Sequence, residues 1–332
     1  MILVTGGAGY IGSHTVIELL NDGNEVIIVD DLCNSSIEII SRIKAITDKS
    51  FLFENFDLTD REQVFTKLAK YPITGIIHFA AHKAVGESMT NAEKYYFNNI
   101  CSLLNVIALG EKLDVKNFIF SSSATVYGEI QNSPISESHP VNKSNSPYGT
   151  TKIMGEKIIS DVAVNSKTNY CLLRYFNPIG AHESGLIGDN PNGIPNNIMP
   201  YITRVAAGEL KELSIFGNDY PTKDGTCIRD YIHVVDLAKG HVKALKANSS
   251  INPTIYNLGT GNGVSVLDLI TTFEKVNNIE IPFKFTNRRE GDITSMYANA
   301  NLALKELNWK AELTLSDMLK SSWNFQKNTN NG

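Results

Sequence analysis

The chain has 332 residues, 42% hydrophobic and 20% charged, with 24 Gly and 11 Pro, which are globular values that exclude disordered, collagen-like and fibrous classes. With 30 Lys and Arg against 35 Asp and Glu the net charge is −5, and no window gathers enough basic residues to neutralise a row of phosphates, so no nucleic acid is expected as a partner. Four single cysteines (Cys33, Cys101, Cys171, Cys227) give neither a disulfide framework nor zinc spacing, Met1-Ile-Leu-Val4 reads as a strand rather than a targeting peptide, and no run reaches the ~18 apolar residues that span a bilayer. The expectation is a cytoplasmic protein of about two domains at ~150 residues each, with no metal and no membrane partner.

Short apolar runs then alternate with helical spacing. Ile2–Thr5, Glu25–Val29, Ser50–Phe53, Gly75–His78, Asn117–Phe120 and Tyr170–Phe176 are too short for helices and apolar on both faces, as strands of a covered parallel sheet are. Tyr10–Asn21, Arg61–Ala69, Ala92–Glu111 and Pro147–Val164 carry the helical period. These alternations predict an α/β fold, a Rossmann-type doubly wound parallel sheet over residues 1–178. The Gly-, Pro- and Asn-rich stretch Pro178–Pro200 reads as a long crossing loop. Residues 179–332 predict a smaller mixed α/β substrate domain, with helices at Ile198–Gly208, Val235–Lys246 and Val266–Val276 and strands at Leu213–Phe216 and Thr254–Leu258. Part of 230–262 is allowed to pack back on the first domain, and the polar tail Lys327–Gly332 is expected to fray.

Thr5-Gly-Gly-Ala-Gly-Tyr-Ile-Gly12 joins the first strand to the first helix. Glycines at 6, 9 and 12 suit a tight turn, backbone approach to a pyrophosphate and close helix packing, with the helix N-terminus facing the phosphates. Asp30 follows at the end of the next strand, 18 residues past Gly12, where a carboxylate can bind ribose hydroxyls. The alternative is a solvated loop carboxylate. Asp30 and Asp31 stand together with no Lys or Arg before Arg42, which favours NAD over NADP.

Ser146-Pro147 marks a helix start, N-cap then first helical position. Tyr148 and Lys152, four apart, then share one helix face. Alone such a pair is ordinary surface decoration; Ser121-Ser-Ser-Ala-Thr-Val-Tyr-Gly128, following a strand at the ligand-binding edge of the sheet, gives it chemical meaning. A tyrosine of pKa ~10 is about one part in a thousand phenolate at pH 7, a deficit of ~4 kcal/mol as a base. A neighbouring ammonium and a cationic nicotinamide both favour the phenolate, and Ser123 can share the proton.

Together these motifs resemble the extended short-chain dehydrogenase/reductase superfamily. The resemblance to its nucleotide-sugar 4-epimerases continues through His78–Ser88, Arg174–Gly180, Gly193–Pro200, Ile215–Thr222, Ile228–Val234 and Arg289–Asp292. It implies Tyr148 as base, Lys152 as the residue that holds the nicotinamide ribose and lowers the Tyr148 pKa, and Ser123 as proton relay. It implies Gly6, Gly9, Tyr10, Ile11 and Gly12 at the pyrophosphate, Asp30, Asn34 and Ser35 at the adenosine ribose, and Asp57 and Leu58 at the adenine. Phe79, Ala80, Lys83, Asn98 and Tyr175 complete the cofactor set. Asn177, Asn197, Ile198, Phe216, Arg229, Arg289 and Asp292 would hold the nucleotide sugar; without the resemblance, each arginine is better read as a surface ion pair with Asp230 or Glu290. Met296, seven after Arg289, stands where similar proteins restricted to plain hexoses carry tyrosine and those accepting N-acetylated sugars carry a small residue such as cysteine. The implied reaction is NAD-dependent inversion at C4 of a UDP-hexose, UDP-galactose to UDP-glucose and back, in a homodimer built on helices 92–111 and 147–164, where Ile153, Ile158, Ile159 and Val162 exceed what a surface helix needs.

Two alternatives share the fold. In the related 4,6-dehydratases the serine-rich motif reads Thr-Asp-Glu, whereas Ser123, Ala124 and Thr125 stand here and supply no acid–base pair for water elimination. A non-catalytic NAD-sensing protein would be expected to lose Tyr148 or Lys152. The second glycine cluster, Asn257–Gly263, reads as a turn ahead of a Ser265/Asp268 capping box, and the seven histidines as structural or surface residues.

Overall fold

The computed structural model describes residues 1–128, 133–141, 143–193, 195, 197–247, 249, 251–289 and 292–330. In chain order the elements are β1 (Ile2–Thr5), α1 (Tyr10–Asn21), β2 (Val26–Val29), α2 (Glu38–Thr47), β3 (Leu52–Glu54), α3 (Arg61–Leu68), β4 (Gly75–His78), α4 (Val85–Thr90), α5 (Ala92–Lys112), β5 (Asn117–Ser123), α6 (Pro147–Ala163), β6 (Asn169–Tyr175) and β7 (Asn177–Ile179). There follow α7 (Ile198–Ala206), β8 (Leu213–Phe216), β9 (Ile228–His233), α8 (Val234–Lys246), β10 (Thr254–Leu258), β11 (Gly263–Ser265), α9 (Val266–Asn277), β12 (Phe283–Thr286), β13 (Ser295–Met296), α10 (Asn301–Leu307) and α11 (Leu315–Asn330).

A seven-stranded parallel sheet in the order β10-β6-β5-β4-β1-β2-β3 forms the centre. Its strands are apolar on both faces because each face is covered. Ile2 and Val4 enter one core cluster and Leu3 the other; Val26 and Ile28 part from Ile27 and Val29 in the same way. The chain reverses its winding between β1 and β4, and that switch opens the crevice where ligands of such sheets bind.

The two sheets interleave along the chain. β10 returns to pair with β6, and α8 packs on α1, while β7, β9, β11 and β13 form a second sheet and β8 pairs with β12. A separate core of Ile202, Ile215, Leu269, Phe273 and Leu319 holds this outer part together. The tail differs from its sequence reading: residues up to Asn330 continue α11, whose Met318 and Leu319 are buried in the outer core and whose Phe325 is buried against Gly188, while 331–332 lie outside the described residues. Among the described residues no helix is long and apolar enough to cross a membrane.

Candidate active site

β1 delivers the chain into the glycine turn, where Gly6 takes φ +68° and a Cβ on it would sit 2.7 Å from the Ala80 backbone nitrogen. At Gly12 a Cβ would meet the Gly6 carbonyl at 2.2 Å. Both positions therefore require glycine. Gly9 is the N-cap of α1 and offers no side chain to its first amides, which leaves them for an anion.

Asp30 is 9% exposed at the end of β2, with Oδ2 accepting from the Ala8 amide (3.0 Å) and Oδ1 from the Leu32 amide (2.9 Å) and Ser35 Oγ (3.1 Å). It is not a solvated loop carboxylate. Burial raises its pKa and those donors oppose the rise. Carboxylate oxygens have further lone pairs, so this donor set fits a diol. Arg42 is engaged with the Leu186 carbonyl (3.2 Å).

The remaining cofactor candidates ring the same edge. Tyr10 donates to the Gly180 carbonyl (2.6 Å), Ile11 joins the core, and Asn34 is exposed. Asp57 accepts from the Thr59 amide (2.8 Å), and Leu58 is buried beside it. Phe79 and Ala80 leave β4 against the Gly6 turn, and Lys83 lies 3.9 Å from Asp189. Asn98 bonds Asn99 (3.0 Å), and the Tyr175 hydroxyl bonds Ser121 Oγ.

Ser146 caps α6 by accepting from the Gly149 amide (3.1 Å), with Pro147 in the first turn. This start directs Tyr148 and Lys152 at the end of β5. Tyr148 hydrogen-bonds Ser123, and the Lys152 ammonium donates to the Ser121 carbonyl (2.7 Å), 4.9 Å from the Phe120 ring centre and 6.0 Å from that of Tyr148. Burial pushes the phenol up to about 12 and the ammonium down to about 8. In the protein alone the group acting downward on Tyr148 is Ser123, rather than the ammonium that the sequence reading invokes.

On the outer side, Asn177 lies in β7, Asn197 stands at the start of α7 with its side chain donating to Asp189 (2.8 Å) rather than capping the helix, and Ile198 opens that helix. Phe216 ends β8 with the Arg289 guanidinium 4.0 Å over its ring. Arg229 pairs with Asp292 (3.0 Å) and donates to the Ile228 and Ile293 carbonyls (2.8 and 2.7 Å). Its ion-pair partner is thus neither residue weighed from sequence: Asp230 instead accepts from the Thr260, Gly261 and Ala298 amides, and Glu290 lies outside the described residues. Met296 pairs in register with Arg229 and is buried with Ala124, Phe176 and Ala298, which brings the two sheets together beside Ser123.

The structure adds detail that the motifs did not give. Thr125 Oγ1, weighed in the sequence only against the dehydratase motif, is buried two residues past Ser123 with no hydrogen-bond partner among the described residues. Asn99 ties α5 to Thr151 of α6 (3.0 Å) and to the His82 backbone (2.8 and 3.0 Å). Neither environment had a spacing signal, since each is set by tertiary packing. The second glycine cluster is a turn held by Asp230, and Ser265 accepts from the Asp268 amide (3.0 Å). His14 and His182 approach to 6.4 Å between ring centres, yet among the described residues no group of three or more His, Cys, Asp or Glu can hold a metal.

A doubly wound sheet with a glycine turn, an acidic residue after β2 and a Ser, Tyr and Lys set at its carboxyl edge defines the extended short-chain dehydrogenase/reductase class. A family model described as GDP-mannose 4,6 dehydratase matches residues 3–322. UDP-glucose 4-epimerase of Haemophilus influenzae is 54% identical over 333 residues, which cover 100% of this chain and 98% of that protein. The crystal structure of UDP-glucose 4-epimerase from Bifidobacterium longum in complex with NAD+ and UDP is similar at TM-score 0.96 and 50% identity, covering 100% of this chain and 99% of that one. The Stenotrophomonas maltophila UDP-glucose-4-epimerase with bound NAD and formylated UDP-arabinopyranose is similar at TM-score 0.96 and 44% identity, covering 99% and 98%. The chain belongs to the family that this model describes and, within it, to the UDP-glucose 4-epimerases.

Proposed function

We propose that this chain interconverts UDP-galactose and UDP-glucose through transient oxidation at C4 of the hexose, with NAD as its cofactor. The observation that carries this reading is the Tyr148–Ser123 hydrogen bond at the carboxyl edge of β5 with the Lys152 ammonium held beneath it. Tyr148 takes the proton of the 4-hydroxyl, and Ser123 shares it. Lys152 spends one of its three N–H donors on Ser121, leaving two for a ribose. A bound NAD would supply the hydride acceptor for C4 and the donor that restores it on the opposite face of the sugar, leaving the cycle redox-neutral. Gly6, Gly9, Gly12 and the open amides of α1 would hold its pyrophosphate, and Asp30 with Ser35 its adenosine ribose. Asn197, Phe216, Arg229, Arg289 and Asp292 would hold the nucleotide while the sugar turns over. Arg229 uses three of its five N–H donors within the protein, which leaves two for a diphosphate.

A dehydratase would need an acid and a base beside the serine motif, and Ala124 and Thr125 provide neither. The test is incubation of the purified protein with UDP-galactose, without added NAD, and assay for UDP-glucose. No conversion would overturn the reading.

A homodimer through α5 and α6 belongs to the same proposal, on altered grounds. Ile159 is fully buried, and Ile153, Ile158 and Val162 are partly buried against the chain's own cores. Phe97 at 60% exposed, Leu104 at 43% and Met154 at 39% instead leave an apolar stripe on these two helices. Light scattering at micromolar concentration should give twice the chain mass; a monomer would refute the dimer.

A further inference from the structure

The face of α6 that carries Tyr148 and Lys152 continues one turn on to Glu156, which the reaction proposed above does not use. Its side chain is 7% exposed and that of its partner Arg174, on β6, is 3% exposed. Arg174 Nε donates to Oε1 at 2.9 Å and Nη2 to Oε2 at 2.6 Å, and Ser122 Oγ donates to Oε1 at 2.5 Å. A buried pair of this kind is a weak source of stability, because desolvating two charges costs about what their attraction returns. Its place is more informative. Three consecutive serines of β5 meet one face of α6: Ser123 bonds Tyr148, the Ser121 carbonyl takes the Lys152 ammonium, and Ser122 bonds Glu156.

The geometry points to Glu156 as a positioning residue for this site, fixing the register of α6 on β5 and supplying the anion that keeps the Lys152 ammonium charged in its buried place. The inference rests on the functional reading above. Burial lowers Lys152 to about 8, and the Glu156 carboxylate acts against that fall. The other titratable neighbours behave differently. His78 on β4 is driven down to about 3, so it is neutral near pH 7. Tyr175 on β6, Tyr127 after β5 and Tyr95 on α5 are pushed upward by burial and are neutral as well. Glu87 on α4 is an anion paired with Lys94 and bonded to Tyr95, and Arg174 on β6 is committed to Glu156.

Glu156→Gln alone leaves Arg174 unpaired in the core, a change that can prevent folding. The test therefore uses Glu156→Gln with Arg174→Met, which removes both charges at similar volume, and Glu156→Asp, which keeps the charge but shortens its reach. In the protein as purified, 13C NMR of labelled lysine follows the Lys152 ε-carbon through its titration, the signal being assigned by its loss in Lys152→Met. In parallel, the pH dependence of kcat with UDP-galactose is measured. The expected result for the paired change is a Lys152 midpoint and an alkaline limb of kcat both lowered by roughly half a pH unit, less than the ~1 unit that one opposite charge contributes, because the like charge of Arg174 leaves with Glu156. Glu156→Asp should hold both near the wild-type position. A folded paired variant whose Lys152 midpoint matches wild type would reduce Glu156 to a brace and overturn the inference, as would Glu156→Asp shifting as far as the paired change. If that variant does not fold, Glu156→Gln with Arg174→Gln, which keeps a polar pair in place of the two charges, is read by the same midpoint against the same two outcomes. An inactive wild-type protein would overturn the functional reading instead, while the Lys152 titration still reports on Glu156.

Discussion

Arg229 lies 3.0 Å from Asp292, and the register that pairs Arg229 with Met296 places this ion pair one residue from the small core behind Ser123. The guanidinium is thereby fixed before any ligand arrives. Arg229→Lys keeps the charge but loses the planar fork and the bonds to the Ile228 and Ile293 carbonyls. Charge-assisted hydrogen bonds of this kind are worth about 1.5–3 kcal/mol, so kcat/KM for UDP-galactose should fall by roughly 10- to 150-fold. Steady-state kinetics showing less than a twofold loss would remove Arg229 from the nucleotide site.

Tyr148→Phe removes the ionisable oxygen and nothing else. Turnover should fall by about 10²–10⁴-fold, the usual contribution of a general base, while the cofactor stays bound. Gly12→Ala should do the reverse damage, since its Cβ would stand 2.2 Å from the Gly6 carbonyl and force the turn apart. Nicotinamide nucleotide measured in the denatured supernatant should be present for wild type and Tyr148→Phe and absent for Gly12→Ala. Wild-type turnover in Tyr148→Phe would reassign the base.

Four histidines are buried as neutral rings: His14 and His78 are driven down to about 3, and His233 and His241 to about 4, in each case by desolvation first. An unfolded histidine binds its proton near pH 6.5, so below that value the unfolded chain gains protons that the folded one refuses. Their contribution to stability is complete above pH ~6.5 and is lost as the pH falls toward the folded values, at about 1.4 kcal/mol per unit for each group. Urea denaturation at pH 7 and pH 5 should show a steep loss in wild type and a shallower one in His78→Gln. Equal slopes would mean that His78 takes up a proton in the fold.

Met296 is 9% exposed and packed with Ala124 and Phe176, beside the proposed sugar site. A C2 acetamide has to displace a flexible side chain at ~1–3 kcal/mol, or about 5- to 150-fold in specificity. UDP-N-acetylglucosamine should therefore be a weak but measurable substrate, with Met296→Cys raising that activity and Met296→Tyr abolishing it while sparing UDP-galactose. Equal kcat/KM for the plain and N-acetylated sugars in wild type would show that another residue sets the limit.

What the sequence determined is what local periodicity and special backbone positions encode. Strands buried on both faces are read directly from runs such as Val26–Val29, because neither face can tolerate a polar residue. The positive φ of Gly6, the contact of Gly12 with its own turn, the Ser146 cap and the spacing of Tyr148 and Lys152 are likewise local, each set by backbone geometry or contacts within a few residues or within one helix. Tertiary structure decided everything that depends on distant strands meeting. β9 carries Arg229 and Asp230 as neighbours in sequence but sends them to different partners, Asp292 on one hand and the Thr260–Gly261 turn and Ala298 on the other. The meeting of Glu156 with Arg174 and the buried Thr125 hydroxyl, which has no partner among the described residues, leave no periodic trace, since each follows from how elements far apart in the chain are stacked. The same holds for the basicity of the site. Residue types name Tyr148 and Lys152, but the burial that moves one to about 12 and the other to about 8 exists only once β5 and α6 are packed.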